Sequence, residues 1–261
     1  DADVVAAIDA RLVGVEREHG VAIPWAIESG SRAWGFPSPD SDYDCRFFYV
    51  RPAADYLSPW PRRDVIETPL DAVFDVNGWD LIKAVRLATS GNATVSEWLR
   101  SPIVYRGDPG FRDELLALVG AVTDRPRLQS HYLHLGRRQR DLALAGGEVR
   151  LKRLFYALRP AAALAWLDAH PSGTPPMRLQ ELLTEADAPA ALREAVDALV
   201  AQKAVTRELG TGAAPALVAD YVATHLDAEP PTLGPPDPHA RGAADEAFRA
   251  LLRFGPEAGC D

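Results

Sequence analysis

Apolar residues recur at helical spacing near the start of the chain, at Val4, Val5, Ile8, Leu12 and Val15. This spacing predicts a helix over residues 2–18, and the following Gly20 is typical of a helix end. The pattern then changes to short apolar runs bounded by Gly, Pro and Asp, which predict strands. These runs are VAIPWAI, YDCRFFYV, DVIETPL and DAVFDVNG. Pro24, inside the first run, predicts an edge strand or an irregular strand start.

The segment GSRAWGFPSPDSD separates the first two runs and is predicted to be a loop, with a turn or short helix at its Gly-Ser. WDLIKAVRLAT is predicted to be a helix with Asp80 at its start, and TVSEWLRSPIVYRG a short helix followed by a short strand. After Gly107 the amphipathic patterns are all helical and are separated by Gly or Pro. The sequence therefore predicts an α+β protein, with a small mixed-sheet domain over residues 1–107 and a helical domain over residues 108–261.

The composition is typical of a globular protein and does not change the predicted fold. The 261 residues are 47 % hydrophobic and 25 % charged, and no apolar run reaches the ~20 residues that a membrane helix needs. The first 20 residues are charged and helix-like, which argues against a signal peptide. The two cysteines, Cys45 and Cys260, lie far apart and favour a reducing compartment over a disulfide scaffold. We therefore expect a cytoplasmic protein without a membrane partner, of unknown oligomeric state.

Net charge is −9, which argues against nonspecific binding to nucleic acid. One segment differs: residues 137–159 carry seven Arg or Lys residues against Asp141 and Glu148, a balance of +5. A local anion site and a solvated helix face both remain open interpretations of this segment.

Two carboxylates, Asp42 and Asp44, stand where a loop enters the YDCRFFYV strand. Residues i and i+2 of a strand point to the same side, so both carboxylates converge and favour a hard cation such as Mg²⁺ between them. Capping of a turn is the structural alternative. A calcium loop starting at Asp40 is excluded, because its sixth and twelfth positions are Cys45 and Arg51 instead of Gly and Glu.

A third carboxylate occurs in DAVFDVNG. On a period of two, Phe74 and Val76 face one side and Asp75 and Asn77 the other, so Asp75 could meet Asp42 and Asp44. An exposed strand face is the alternative. Upstream, Gly30 and Ser31 follow a strand, where Gly permits close backbone approach, the Ser31 hydroxyl can donate to a phosphate and Arg32 adds charge. Simple turn chemistry explains a lone Gly-Ser equally well.

The order Gly-Ser, Asp-x-Asp entering a strand, and a later strand Asp resembles the polymerase-beta-like nucleotidyltransferase superfamily. ESGSRAWGFPSPDSDYDCRFFYV, DVNGWDLIKAVRLATSGNATVSEWLRSPIVY and RLKRLFYALRPAAALAWL together resemble, more closely, its RNA-repair-associated (RNA-ligase-associated) family of predicted nucleotidyltransferases. The resemblance covers most of residues 21–170. It implies that Asp42, Asp44 and Asp75 hold two Mg²⁺ ions, or Mn²⁺ in their place, and that Gly30 and Ser31 bind a triphosphate. Asp71 and Asp80 are alternatives to Asp75, although Asp80 is better explained as a helix cap.

The resemblance also implies a nucleotide site on the helix EVRLKRLFYALRP, which would lie over the cleft. Lys152, Tyr156 and Arg159 share one face there, so Lys152 and Arg159 could contact the triphosphate and Tyr156 could stack on the base. Three hypotheses for function follow. The chain transfers NMP from an NTP to the 3′ or 5′ end of RNA, modifies a protein or a small molecule, or binds nucleotide without catalysis.

Overall fold

The computed structural model describes residues 2–69, 73–144, 149–206 and 210–257. Its helices are α1 Ala2–His19, α2 Gly30–Trp34, α3 Leu81–Thr89, α4 Ala93–Leu99, α5 Pro109–Val122, α6 Arg125–Leu144, α7 Leu151–Ala169, α8 Leu179–Glu185, α9 Ala190–Val205, α10 Ala216–Leu226 and α11 Pro238–Leu251. Its strands are β1 Ala22–Glu28, β2 Tyr43–Val50, β3 Val65–Glu67, β4 Phe74–Asp80, β5 Val104–Gly107, β6 Val149–Arg150 and β7 Thr211–Gly212. Short 3₁₀ turns span Ala53–Leu57 and Leu252–Phe254.

Contacts between residues divide the chain into two compact units. The first unit comprises Asp1–Gly30, Asp42–Thr123 and Pro235–Asp261, and the second comprises Ser31–Ser41 and Asp124–Gly234. The chain therefore leaves the first unit after Gly30 and re-enters it at Asp42. This division runs differently along the chain from the predicted boundary at residue 107, which stays a prediction.

The first unit contains a mixed sheet of five strands within the described residues, in the order β3-β4-β2-β1-β5. β2 pairs with β4 in parallel, and the other neighbours are antiparallel. The predicted α+β class is thus confirmed. Pro24 lies in β1, an inner strand, and the register between β1 and β2 shifts between Ala22 and Trp25. The irregular start predicted from Pro24 is confirmed, and the edge position is wrong.

Both faces of this sheet are covered, because alternate residues of β2 point in opposite directions. Phe47 and Tyr49 pack on one face with Ile8 and Leu12 of α1. Phe48 and Val50 belong to the opposite cluster, which α3, α4, α5 and α11 supply through the buried side chains Leu81, Val95, Phe111 and Leu251. The apolar face of α1 therefore packs on one face of the sheet. The parallel pair β2 and β4 lies between two apolar layers.

The second unit is built on α6 to α10, with the loop 31–41 packed among them. Buried residues Tyr132, Phe155, Leu158, Leu182 and Val196 come from four of these helices. Prediction of an all-helical second half is wrong in one detail: β6 and β7 form a two-residue antiparallel ladder. Within the described residues, no helix is both long enough and apolar enough to span a membrane.

Candidate active site

Asp44 and Asp75 are register partners in the parallel pair β2 and β4. Backbones of paired strands lie about 4.8 Å apart, so the two side chains are neighbours on one face of the sheet. Further along, the same face becomes apolar at Phe48 and Trp79, which are also partners. The polar residues thus occupy the end of this face where β2 and β4 begin.

The Arg46 guanidinium joins the two carboxylates. Its Nη2 donates to Asp44 Oδ1 at 3.1 Å and to Asp75 Oδ2 at 2.6 Å. Its Nη1 donates to the backbone oxygens of Cys45 at 3.0 Å and Asp75 at 2.7 Å. Asn77 Nδ2 donates to the other carboxylate oxygen of Asp75, at 2.5 Å. Two adjacent carboxylates repel each other, and in this structure the positive charge between them comes from the protein itself.

The backbone beneath Asp44 is fixed by the neighbouring strand. Glu28, fully buried at the end of β1, accepts a hydrogen bond from the Asp44 N–H at 2.9 Å and one from the Tyr105 hydroxyl. Ser29 N–H donates to the Asp44 backbone oxygen at 2.8 Å. Asp44 is therefore held at both its amide and its carbonyl.

Gly30 lies directly against the Asp44 carboxylate. Its φ is +63°, in the left-handed region, and a Cβ added there would lie 2.0 Å from Asp44 Oδ2. Only glycine satisfies both the backbone conformation and the close approach. Gly30 thus adjoins one of the predicted carboxylates, and its predicted contact with a phosphate stays a prediction.

The remaining predicted acids are placed differently. Asp42 lies one residue before β2 and is exposed, whereas Asp71 lies outside the described residues. Asp80 is the N-cap of α3: its Oδ1 accepts from the Ile82 N–H at 3.0 Å, as predicted. Among the described residues, no three His, Cys, Asp or Glu side chains form a group able to hold a metal ion. The three-carboxylate metal site therefore stays a prediction.

Carboxylate oxygen is nevertheless the donor that Mg²⁺ and Mn²⁺ prefer, and Asp44 and Asp75 present such donors side by side. The chemistry of these two side chains suits a divalent cation, provided that Arg46 leaves its position between them. Neighbouring Cys45 is no soft ligand there, because burial raises its pKa to about 12 and keeps the thiol protonated.

Ser31 and Arg32 lie in the short helix α2, at the start of the segment 31–41 of the second unit, and Ser41 is the last residue of this segment. We call the whole segment the loop 31–41. The Ser31 hydroxyl donates to Ser41 Oγ at 3.0 Å, and Arg32 Nη2 donates to the Ser41 backbone oxygen at 2.6 Å. The Ser38 N–H also donates to Ser41 Oγ, at 2.8 Å. Three hydroxyls and one guanidinium are thus gathered in a single short loop.

Two of the residues predicted on α7 contact this same loop. Tyr156 packs edge-on to Trp34, with ring centroids 5.5 Å apart, and the Arg159 guanidinium lies 4.9 Å from the Trp34 ring centroid. Arg159 is 2 % exposed, and its Nε donates to the Met177 backbone oxygen at 2.9 Å. Lys152, on the first turn of α7, is exposed.

Lys203 of α9 contacts the loop 31–41 through the backbone of Phe36. The sequence patterns did not indicate a role for this lysine. Its Nζ donates to the Phe36 backbone oxygen at 2.6 Å and lies over the rings of Phe36 and Phe155, which stack on each other. Burial, reinforced by the charge of Lys152 and opposed by Asp40, lowers the pKa of Lys203 to about 8. A cation in the last turn of a helix is common, so the sequence gives no signal for this contact.

The basic segment 137–159 supports structure at several of its positions. Arg137 donates to the backbone oxygens of Leu226 and Ala228, both at 2.8 Å, and Arg140 pairs with Asp227 at 2.6 Å. These cations lie at the C-terminal end of α10, where positive charge is favourable. Part of the +5 balance is therefore explained by packing within the second unit.

Sequence reasoning also missed Arg46 and Glu28. Arg46 stands two residues after Asp44, so the strand period that united Asp42 with Asp44 could have included it. Glu28 follows an apolar strand directly, and a carboxylate there requires buried partners.

Comparisons with known proteins indicate the family of the chain. A family model described as RNA repair pathway DNA polymerase beta family matches residues 4–252 of the chain. An uncharacterized protein of Bacillus subtilis (strain 168), YcgL, is 38 % identical over 217 residues, which cover 83 % of each chain.

Proposed function

Because the chain belongs to the RNA repair pathway DNA polymerase beta family, we propose that it is a metal-dependent nucleotidyltransferase that transfers NMP from an NTP to an RNA end. The observation that carries this proposal is the pairing of Asp44 with Asp75 in adjacent parallel strands, with Gly30 against Asp44. The two carboxylates repel each other, and a bound divalent cation would replace Arg46 as the positive charge between them. In nucleotidyl transfer, the pair would hold the divalent cation that the reaction requires.

The reaction has a simple balance. The acceptor hydroxyl oxygen bonds to the α-phosphorus of the NTP, the bond from that phosphorus to the bridging oxygen breaks, and pyrophosphate leaves. We assign the hydroxyl proton to the Asp75 carboxylate, which acts as the general base. Catalysis of such an in-line displacement depends mainly on positioning the reactants and stabilising the charge that develops on the phosphates.

Asp42, Asp44 and Asp75 are the residues that would hold Mg²⁺ or Mn²⁺. A bound divalent ion would neutralise charge on the phosphates and lower the pKa of the attacking hydroxyl. Glu28 and Ser29 fix the backbone of Asp44, so this carboxylate is preorganised for the ion. Arg46, which joins Asp44 to Asp75, would turn away from the pair as the ion binds and would then be available to a phosphate oxygen.

The proposed nucleotide contacts come from the segment 31–41 and from α7. Ser31 and Arg32 donate to triphosphate oxygens in this proposal, and the close contacts among Ser31, Ser38 and Ser41 preorganise the hydroxyls. Exposed Lys152 adds a cation for the phosphates. Tyr156 and Arg159 keep the loop in position through Trp34 and present the tyrosine ring to a base or sugar.

Incubation with each α-phosphate-labelled NTP and Mg²⁺, with and without RNA, tests the proposal. Label should appear in RNA for the wild-type chain and be lost in Asp75→Asn, while pyrophosphate is released in step with the label transferred. A matched control is Asp113→Asn, an exposed acid on α5. Label in protein or in a small molecule would favour the second candidate acceptor, which the net charge of −9 supports. No transfer to any acceptor would contradict the proposal.

A further inference from the structure

Two side chains of the second unit hold consecutive carbonyl groups of the loop 31–41. Gln180 of α8 donates from its Nε2 to the Gly35 backbone oxygen at 3.1 Å. Lys203 of α9 donates from its Nζ to the Phe36 backbone oxygen at 2.6 Å. The chain just after α2 is therefore fixed by two helices that come much later in the sequence.

The contact made by Lys203 reaches Ser31 through a single residue. The Phe36 N–H donates to the Ser31 backbone oxygen at 3.0 Å, while the Phe36 oxygen accepts from Lys203. The Ser31 hydroxyl in turn donates to Ser41 Oγ at 3.0 Å. A change at the Lys203 ammonium is therefore expected to alter the position of Ser31, which is the hydroxyl assigned to a phosphate.

The Lys203 ammonium is a buried charge without an acidic partner. The residue is 2 % exposed, and it makes no ion pair with an acid in the part of the chain that the structure describes. Its Nζ lies 4.7 Å from the ring centroid of Phe36 and 5.4 Å from that of Phe155. Aromatic rings attract an ammonium only weakly, whereas burial of an unpaired charge is costly. A nearby anion would reduce this cost.

The charges that act on Lys203 are those of Lys152, on α7, and Asp40, in the loop 31–41. Burial lowers the pKa of Lys203 most, to about 8. Lys152 also lowers this pKa by repulsion, and the attraction of Asp40, which raises it, is the smallest of the three effects. The ammonium therefore lies in surroundings that favour additional negative charge.

We propose that Lys203 is a positioning residue for the triphosphate of the NTP, an inference that rests on the proposed function for the identity of its ligand. Lys203 holds Ser31 in place through Phe36, and its charge attracts the phosphates that Ser31 and Arg32 would contact. The phosphates do not touch the ammonium, and the two charges act on each other through the loop. Binding of NTP and protonation of Lys203 therefore favour each other by the same factor.

The test is isothermal titration calorimetry of the full chain with each of the four NTPs, without metal so that no transfer occurs. Two buffers of different ionisation enthalpy at pH 8.5 measure the protons that binding takes up. We expect a mutual effect of about tenfold, which corresponds to uptake of about 0.5 of a proton at this pH. The same effect should weaken binding by about sixfold between pH 7.5 and pH 9.5, as Lys203 loses its proton.

Lys203→Gln keeps a donor for the Phe36 oxygen and removes the charge. At pH 7.5 this variant should raise the Kd for NTP at least about fivefold, and neither the proton uptake nor the weakening at high pH should remain. Lys83→Gln is the matched control, because Lys83 lies in the first unit and pairs with Asp64. The control should keep the wild-type Kd and the wild-type proton uptake.

A purely structural role for Lys203 would weaken binding in Lys203→Gln without proton uptake in the wild type. That result, equal uptake in the wild type and Lys203→Gln, or no binding of any NTP would overturn the proposal. The wild-type titrations decide the matter even if Lys203→Gln does not fold. A chain that binds NTP with this proton uptake yet transfers no label contradicts only the proposed function, and label transfer by a chain whose NTP binding takes up no proton contradicts only the role of Lys203.

Discussion

Replacing Arg46 with methionine tests whether the carboxylate pair is a cation site. The variant keeps an apolar stem but removes the two ion pairs and the two backbone contacts that the guanidinium makes. Asp44, Asp75 and Arg46 have side chains only 18–29 % exposed, so solvent screens the interaction incompletely.

The magnitude follows from the register. Two carboxylates about 5 Å apart, in an effective dielectric of about 20, repel each other by roughly 3 kcal/mol. Without Arg46 this repulsion is uncompensated, and we expect a loss of roughly 3 kcal/mol of unfolding free energy. For a chain of this size that corresponds to a fall in Tm of roughly 6–12 °C.

Thermal unfolding with and without 5 mM Mg²⁺ is the assay. Mg²⁺ should raise the Tm of Arg46→Met well above its effect on the wild type, because in the variant the ion has no guanidinium to displace. Lys83→Met, which removes the surface pair with Asp64, is the matched control and should lose at most about 1 kcal/mol without any response to Mg²⁺. A small loss in Arg46→Met, combined with indifference to Mg²⁺, would refute the cation-site interpretation.

Two further predictions concern the backbone at Gly30 and the buried Lys203. Gly30→Ala should destabilise the chain clearly more than Gly20→Ala, since both have φ near +60° but only Gly30 has a neighbour, Asp44, in the path of a Cβ; equal losses in urea unfolding would contradict the close approach. Lys203 has its pKa lowered from 10.5 to about 8, so between these values the unfolded chain binds more protons than the folded one and this group makes stability rise with pH. Wild-type stability relative to Lys203→Met should therefore increase between pH 8 and pH 10, by up to about 1.4 kcal/mol per pH unit. A difference in urea unfolding that does not change with pH would contradict the lowered pKa of Lys203.

Much of the fold could be predicted from local pattern. The apolar run YDCRFFYV predicts β2 with the bounds that the structure shows. Asp80 is predicted as a helix cap because an aspartate directly before a helix can accept a hydrogen bond from a backbone N–H of the first turn. The strand period also separated Asp75 and Asn77 from Phe74 and Val76, which the packing of β4 reproduces.

What could not be predicted depends on pairing between distant segments. The register that sets Asp44 beside Asp75 joins residues 31 apart, and no local period contains it. The strand period places Arg46 on the face of Asp44, but its role between two carboxylates exists only once Asp44 and Asp75 are neighbours. Helix α11 contacts α5 and α3 in the first unit, although its pattern resembles that of the helices before it.

Pyrophosphate release from NTP with Mg²⁺ and RNA, compared between wild type and Asp44→Asn, tests the central claim most directly. Asparagine keeps the size of the side chain and removes its charge, so circular dichroism and Tm should show a folded variant. The account predicts a fall in turnover of at least about 100-fold for Asp44→Asn and none for Asp113→Asn. Turnover within about threefold of wild type in a folded Asp44→Asn variant would contradict the assignment of this carboxylate to the active site.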